Sequence, residues 1–177
     1  MANGNSTRDR PVLILLTGLP GSGKTTFARA LAERLPLRHV ESDRIRRSIS
    51  AQPSYTRLES SLVFARVEVE VREAFADSCI AVQDATNLTN QDRRRFLRLG
   101  EESGAQMVFI RLVAPEATVR ERLGVPRVGH SQAGLEIYER MRARPELISA
   151  PVIVVDTRFA LEPALDLVLK LVASAAT

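Results

Sequence analysis

Apolar residues in this chain follow two rhythms. Apolar runs such as Val12-Leu13-Ile14-Leu15-Leu16, Cys79-Ile80-Ala81-Val82, residues 107–113 (interrupted only by Arg111) and residues 151–155 mark strands covered on both faces. Between them, apolar positions recur every three or four residues, as at Leu62, Val63, Val67, Val71 and Phe75 within 58–76, the spacing of a helix. A short strand is expected at 38–41. Further helices are expected at 23–35, 43–50, 132–143 and 161–173. Thr89 with Asp92 three residues later forms a capping pair that opens a helix stopping near Gly104. Pro115-Glu116 is a helix first turn, and that helix ends near Gly124. Residues 125–131 hold Pro126 and Gly129 and read as a mobile connector.

Strands that alternate with helices predict an α/β fold, a doubly wound parallel sheet of five strands flanked by helices. In such a sheet, working groups lie beyond the carboxyl ends of the strands. That rule selects residues 18–25, 42–47, 84–87, the segment after Val113, and Asp156. A chain of 177 residues with 45% hydrophobic content supports one domain, expected over 11–177 with a flexible arm at 1–10.

Charge and cysteine content narrow the picture modestly. The formal net charge is +4, but the arginines interleave with acids, as in Arg66-Val67-Glu68, and no long like-charged run occurs. They read as solvated helix faces, with a nucleic-acid partner the weaker reading. Arg93-Arg94-Arg95 with Arg98 likewise reads as a polar helix face, with Phe96, Leu97 and Leu99 inward. The single Cys79 cannot form an internal disulfide, which suits a cytoplasmic protein. No apolar run reaches the length of a membrane span, so no membrane partner is expected.

The chemistry starts at Gly18-Leu19-Pro20-Gly21-Ser22-Gly23-Lys24-Thr25, which fits G-x-x-x-x-G-K-[ST] directly after a strand and at the start of a helix. Glycines let successive N–H groups turn inward on an anion, and the helix N-terminus adds partial positive charge. Lys24 is one of only two lysines, with Lys170. It bridges the β- and γ-phosphates in this motif, while the Thr25 hydroxyl ligates Mg²⁺. Gly18, Gly21, Ser22, Gly23, Lys24, Thr25 and Thr26 are therefore the expected ATP-binding residues. No N-K-x-D guanine-reading motif is present. Residues 152–156 end in a single Asp followed by Thr157, so they read as a core strand rather than the metal-binding strand of a mechanical ATPase.

Ser42-Asp43-Arg44-Ile45-Arg46-Arg47-Ser48-Ile49, Asp84-Ala85-Thr86-Asn87-Leu88 and Tyr138-Glu139-Arg140-Met141 resemble the small P-loop kinases related to the 5′-hydroxyl kinase domain of phage polynucleotide kinase. Gluconate kinases, zeta-type toxins and antibiotic phosphotransferases are neighbours of that group. The resemblance implies that Asp43 is the general base, that Arg46 contacts an acceptor-side phosphate, and that a short lid at about 124–132 closes over the triphosphate. Arg122 matches the first lid arginine, and Arg127 is the residue that reaches in. His130 reads as a loop histidine.

Bland readings stand beside these: Asp43 as a helix N-cap, Arg46 as a solvated helix arginine, and Asp84 and Asn87 as an Asx-type turn. In the functional reading Asp84 orients Arg46 or Mg²⁺-bound water, and the Asn87 amide positions the acceptor. The sequence thus predicts an ATP- and Mg²⁺-dependent kinase acting on a hydroxyl of a small metabolite or a nucleic-acid 5′ end. The alternative is a nucleotide-binding regulatory module with little turnover.

Overall fold

The computed structural model describes residues 10–77, 80–124, 134–143 and 145–174. The elements run β1 (Val12–Thr17), α1 (Lys24–Ala32), β2 (Leu37–Glu41), α2 (Ser42–Ile49), α3 (Arg57–Ala76), β3 (Ile80–Asp84), α4 (Asn90–Glu102), β4 (Gln106–Val113), α5 (Glu116–Gly124), α6 (Leu135–Met141), β5 (Val152–Asp156) and α7 (Glu162–Ala173). The five strands are all parallel, in the order β2-β3-β1-β4-β5. The alternating α/β pattern predicted this class. No helix among the described residues is long and apolar enough to cross a membrane.

Strand β1 is buried along its whole length because both its faces are covered. Ile14 and Leu16 turn towards Phe27 and Leu31 of α1 and Val168 of α7. Leu13 and Leu15 turn the other way, towards Val63 and Val67 of α3 and Phe96 of α4. The period-two alternation of a strand thus splits one apolar run between two cores.

Element ends follow local chemistry. Helix α1 stops at Ala32, short of the expected residue 35, because Pro36 disfavours helix in the residue before it. Helix α4 opens on a reciprocal capping box between Thr89 and Asp92. Helix α6 covers only 135–141 of the expected 132–143; residues 132 and 133, like Cys79, lie outside the described residues.

Arg93 departs from its expected place on a polar face. It is buried at 3% exposure and donates to the carbonyl oxygens of Asn87, Leu88 and Leu147. A guanidinium with five donors can clamp two loops at once, and burial lowers its pKa. Arg94 and Arg98 are exposed, as a polar helix face requires.

The turn after β1 depends on backbone freedom. Gly18 has φ +151, and a Cβ there would lie 2.4 Å from the Leu112 carbonyl oxygen and 2.6 Å from Ser22 Oγ. Gly18→Ala is expected to cost about 2–4 kcal/mol. Thermal unfolding should then show a midpoint roughly 5–15 °C lower.

Candidate active site

Parallel pairing brings the strand ends into line, with Leu16 of β1 and Glu41 of β2 both opposite Asp84 of β3. The chain crosses from β3 over to β4 on the far side of β1, so a crevice opens where the order reverses. A cavity of about 830 Å³ fills it.

The 18–25 turn forms one wall. Gly18, Gly21 and Gly23 all have positive φ, and Gly23 caps α1 with no side-chain bond to the helix. The first N–H groups of α1 therefore lack the side-chain acceptor that usually serves a helix start, which is the condition for holding an anion. Lys24 Nζ donates to the carbonyl oxygens of Gly18 and Leu19, each at 3.0 Å, and Lys24, Thr25 and Thr26 all line the cavity. Ser22 Oγ is buried with no hydrogen-bond partner.

Asp84 ends β3 at 3% exposure. Its Oδ2 accepts from Thr25 Oγ1 at 2.8 Å and lies 3.1 Å from His39 Nε2. A hydroxyl and a carboxylate held this close are hard oxygen donors of the kind Mg²⁺ takes beside phosphate. The residues therefore fit the ion, which Thr25 and Asp84 would hold. Glu41 lies beside them, 5% exposed, with Oε1 unpartnered. Burial, reinforced by the neighbouring Asp84, pushes its pKa up to about 6.

Asp43 is the second residue of α2 and lines the same cavity as Gly21, Lys24 and Thr25. The N-cap position belongs to Glu41, and no side-chain cap bond is made there, so Asp43 is not the cap of this helix.

Arg46 lies one turn on and is 6% exposed, not solvated. Its Nη1 donates to Glu59 of α3, not to Asp84, and its guanidinium sits 4.4 Å over the Tyr55 ring. The Asn87 amide also differs from expectation. It donates to the Leu16 carbonyl at 2.6 Å and to Gln83, so its N–H groups brace β3 against β1.

Arg122 Nη1 donates to Thr157 Oγ1 at 2.8 Å and to the Gly21 carbonyl at 3.3 Å, and Nη2 donates to the Thr157 carbonyl at 2.9 Å. This links the end of α5 to the phosphate turn through the segment after β5. Arg127, His130 and all of the expected lid except Gly124 lie outside the described residues.

Sequence reading missed His39, Glu41, Tyr55, Glu59 and Thr157. His39 and Glu41 are two apart on β2 and so share a face, which is a readable hint. Thr56-x-x-Glu59 is a capping signature, and Thr56 does cap α3 by accepting from the Glu59 N–H. The Glu59 carboxylate turns instead to Ser54 N and Ser54 Oγ, each at 2.6 Å, and to Arg46. Burial alone would raise its pKa, but the Ser54 and Arg46 bonds hold it down to about 2.

A carboxylate depressed in the fold contributes stability that is complete above its ordinary value of 4.5 and is lost as pH falls towards 2. Denaturant titrations from pH 6 to 2 should therefore show Glu59→Gln about 2–3 kcal/mol less stable at neutral pH. The gap should close in acid. A gap that does not change with pH refutes the assignment.

A family model described as an AAA domain matches residues 13–148, which hold the phosphate turn, Asp43, Arg46 and Asp84. The L-seryl-tRNA(Sec) kinase of Methanococcus maripaludis is 28% identical over 109 residues, covering 59% of this chain and 42% of that protein. The chain thus spans less than half of that relative's length. A probable adenylyl-sulfate kinase of Aeropyrum pernix is 27% identical over 124 residues, 66% of this chain and 68% of the relative. The crystal structure of a putative kinase from Chloroflexus aurantiacus shares the fold, with a TM-score of 0.76 at 21% identity over 96% of this chain and 99% of that one. These matches support kinship with P-loop kinases at large, without singling out the polynucleotide kinase branch. With its phosphate turn and three carboxylates at one sheet edge, and with most of its length matched, the chain belongs to the AAA-domain family of P-loop kinases.

Proposed function

We propose that this chain transfers the γ-phosphoryl group of ATP to the hydroxyl of an alcohol. The observation that carries the reading is that Asp43 and the phosphate turn line one cavity, with the Thr25–Asp84 pair on its wall. The amide groups at the start of α1 and the Lys24 ammonium receive the phosphates. Asp43 accepts the acceptor's proton as its oxygen bonds to the γ-phosphorus. The bond from that phosphorus to the β–γ bridging oxygen breaks, and ADP leaves. Thr25 and Asp84 would hold Mg²⁺, which would supply charge neutralisation on the phosphate oxygens. Arg46 orients the acceptor from the opposite wall. Arg122, tied to Gly21 and Thr157, holds the turn in shape and adds positive charge beside it.

The test is ADP release measured with and without a panel of hydroxyl acceptors, with the phosphorylated product identified by mass. Acceptor-stimulated release supports the kinase. Tight MgATP binding with no stimulation by any acceptor is the behaviour of a regulatory module and sinks the reading.

A further inference from the structure

His39 and Glu41 lie two apart on β2 and share the face that turns towards α1. Glu41 stands opposite Asp84 across the β2–β3 pairing, and His39 stands opposite Val82, two residues earlier on β3. The His39 ring therefore reaches forward along the sheet to the Asp84 carboxylate, with Nε2 3.1 Å from Oδ2. A carboxylate oxygen only accepts, so Nε2 is the nitrogen that carries the hydrogen.

The bond falls on the same oxygen that accepts from Thr25 Oγ1 at 2.8 Å. Both side-chain bonds of Asp84 among the described residues thus go to Oδ2, and neither engages Oδ1. Asp84 lines the cavity, whereas His39 does not. His39 therefore acts on the cavity only through Asp84.

The second donor has a physical task. The terminal torsion of an aspartate is soft, so a carboxylate held by one hydroxyl can rotate about it. Glu41, buried and directly opposite, repels Asp84 and favours that rotation. Donors arriving from two different elements, Thr25 from α1 and His39 from β2, pin Oδ2 between them. Thr25 can keep donating to Asp84 while a lone pair of its own oxygen meets a cation.

We propose that His39 is a positioning residue for the cation site: it fixes the Asp84 carboxylate in the orientation in which Asp84 and Thr25 together would hold Mg²⁺. A hydrogen-bond partner behind a metal-binding carboxylate sets how well that carboxylate binds. This rests on the assignment of the ion to Thr25 and Asp84, and it does not depend on phosphoryl transfer.

The test is a binding measurement on the full chain. Mn²⁺, followed by its electron paramagnetic resonance, is titrated into protein saturated with ADP, and ADP is titrated calorimetrically in EDTA. His39→Leu keeps most of the bulk and removes the donor, while His39→Gln returns an N–H to the place of Nε2. His39→Leu should raise the Mn²⁺ Kd about 10–100-fold, and His39→Gln should recover most of the affinity. ADP affinity in EDTA should be the same in all three proteins. An unchanged Mn²⁺ Kd in His39→Leu, an equal loss in His39→Gln, or a parallel loss of ADP binding in EDTA overturns the proposal. Asp84→Asn separates this from the metal assignment beneath it. Mn²⁺ binding that survives Asp84→Asn overturns both, whereas binding lost there and kept in His39→Leu overturns the positioning role alone. Neither measurement needs turnover, so a chain that phosphorylates no acceptor fails the kinase reading and leaves this one standing.

Discussion

Lys24→Ala is expected to abolish phosphoryl transfer, lowering acceptor-stimulated ADP release by about 10³–10⁵-fold, the scale of a cation that balances charge on the transferring group. The reason is positional. Phosphoryl transfer asks little covalent chemistry of the protein, so the rate depends on aligned donors and compensating charge. Lys24 Nζ lies on the rim of the turn, bonded to the Gly18 and Leu19 carbonyl oxygens, where it can move onto a phosphate without the backbone rearranging. The same bonds tie the turn, so the variant should also lose about 1–3 kcal/mol of stability, checked by denaturant unfolding. Turnover retained in a folded Lys24→Ala protein would mean that the γ-phosphate lies elsewhere.

Asp43→Asn should lower kcat by about 10²–10⁴-fold while MgATP affinity, measured by calorimetry, stays nearly constant. Asparagine keeps the shape and can accept a hydrogen bond, but it cannot take the proton released when the acceptor oxygen bonds to phosphorus. Asparagine is isosteric and Asp43 is not the N-cap of α2, so the variant should stay folded and lose at most about 1 kcal/mol from the first-turn charge. A protein that loses stability and keeps its rate would return Asp43 to a structural role.

Much of the architecture was legible because each element carries its own signal. The run 12–16 has no polar interruption, the Thr89–Asp92 pair marks a helix start, and the glycine spacing at 18–23 matches a turn with positive φ. The rule that chemistry gathers beyond strand ends found Asp43 and Asp84 without any knowledge of their distance. It began one residue late at β2 and so passed over Glu41. Arg46 was singled out, but its partner was not, since Glu59 lies on a different helix and Arg46 could as well have faced water. Arg93 was misread for the same reason. A run of arginines looks solvated until the loops at 87–88 and 146–147 are seen to converge on one of them.

The chain's own pattern therefore determined the α/β class, the phosphate turn and the kind of chemistry it serves, because these depend on residues close together along the backbone. Tertiary structure decided which groups became neighbours. Strand order set Glu41 beside Asp84, and packing of α2 on α3 gave Arg46 to Glu59 and Tyr55. Those pairings join residues distant in sequence, and their energies depend on burial and separation, which exist only once the sheet has formed.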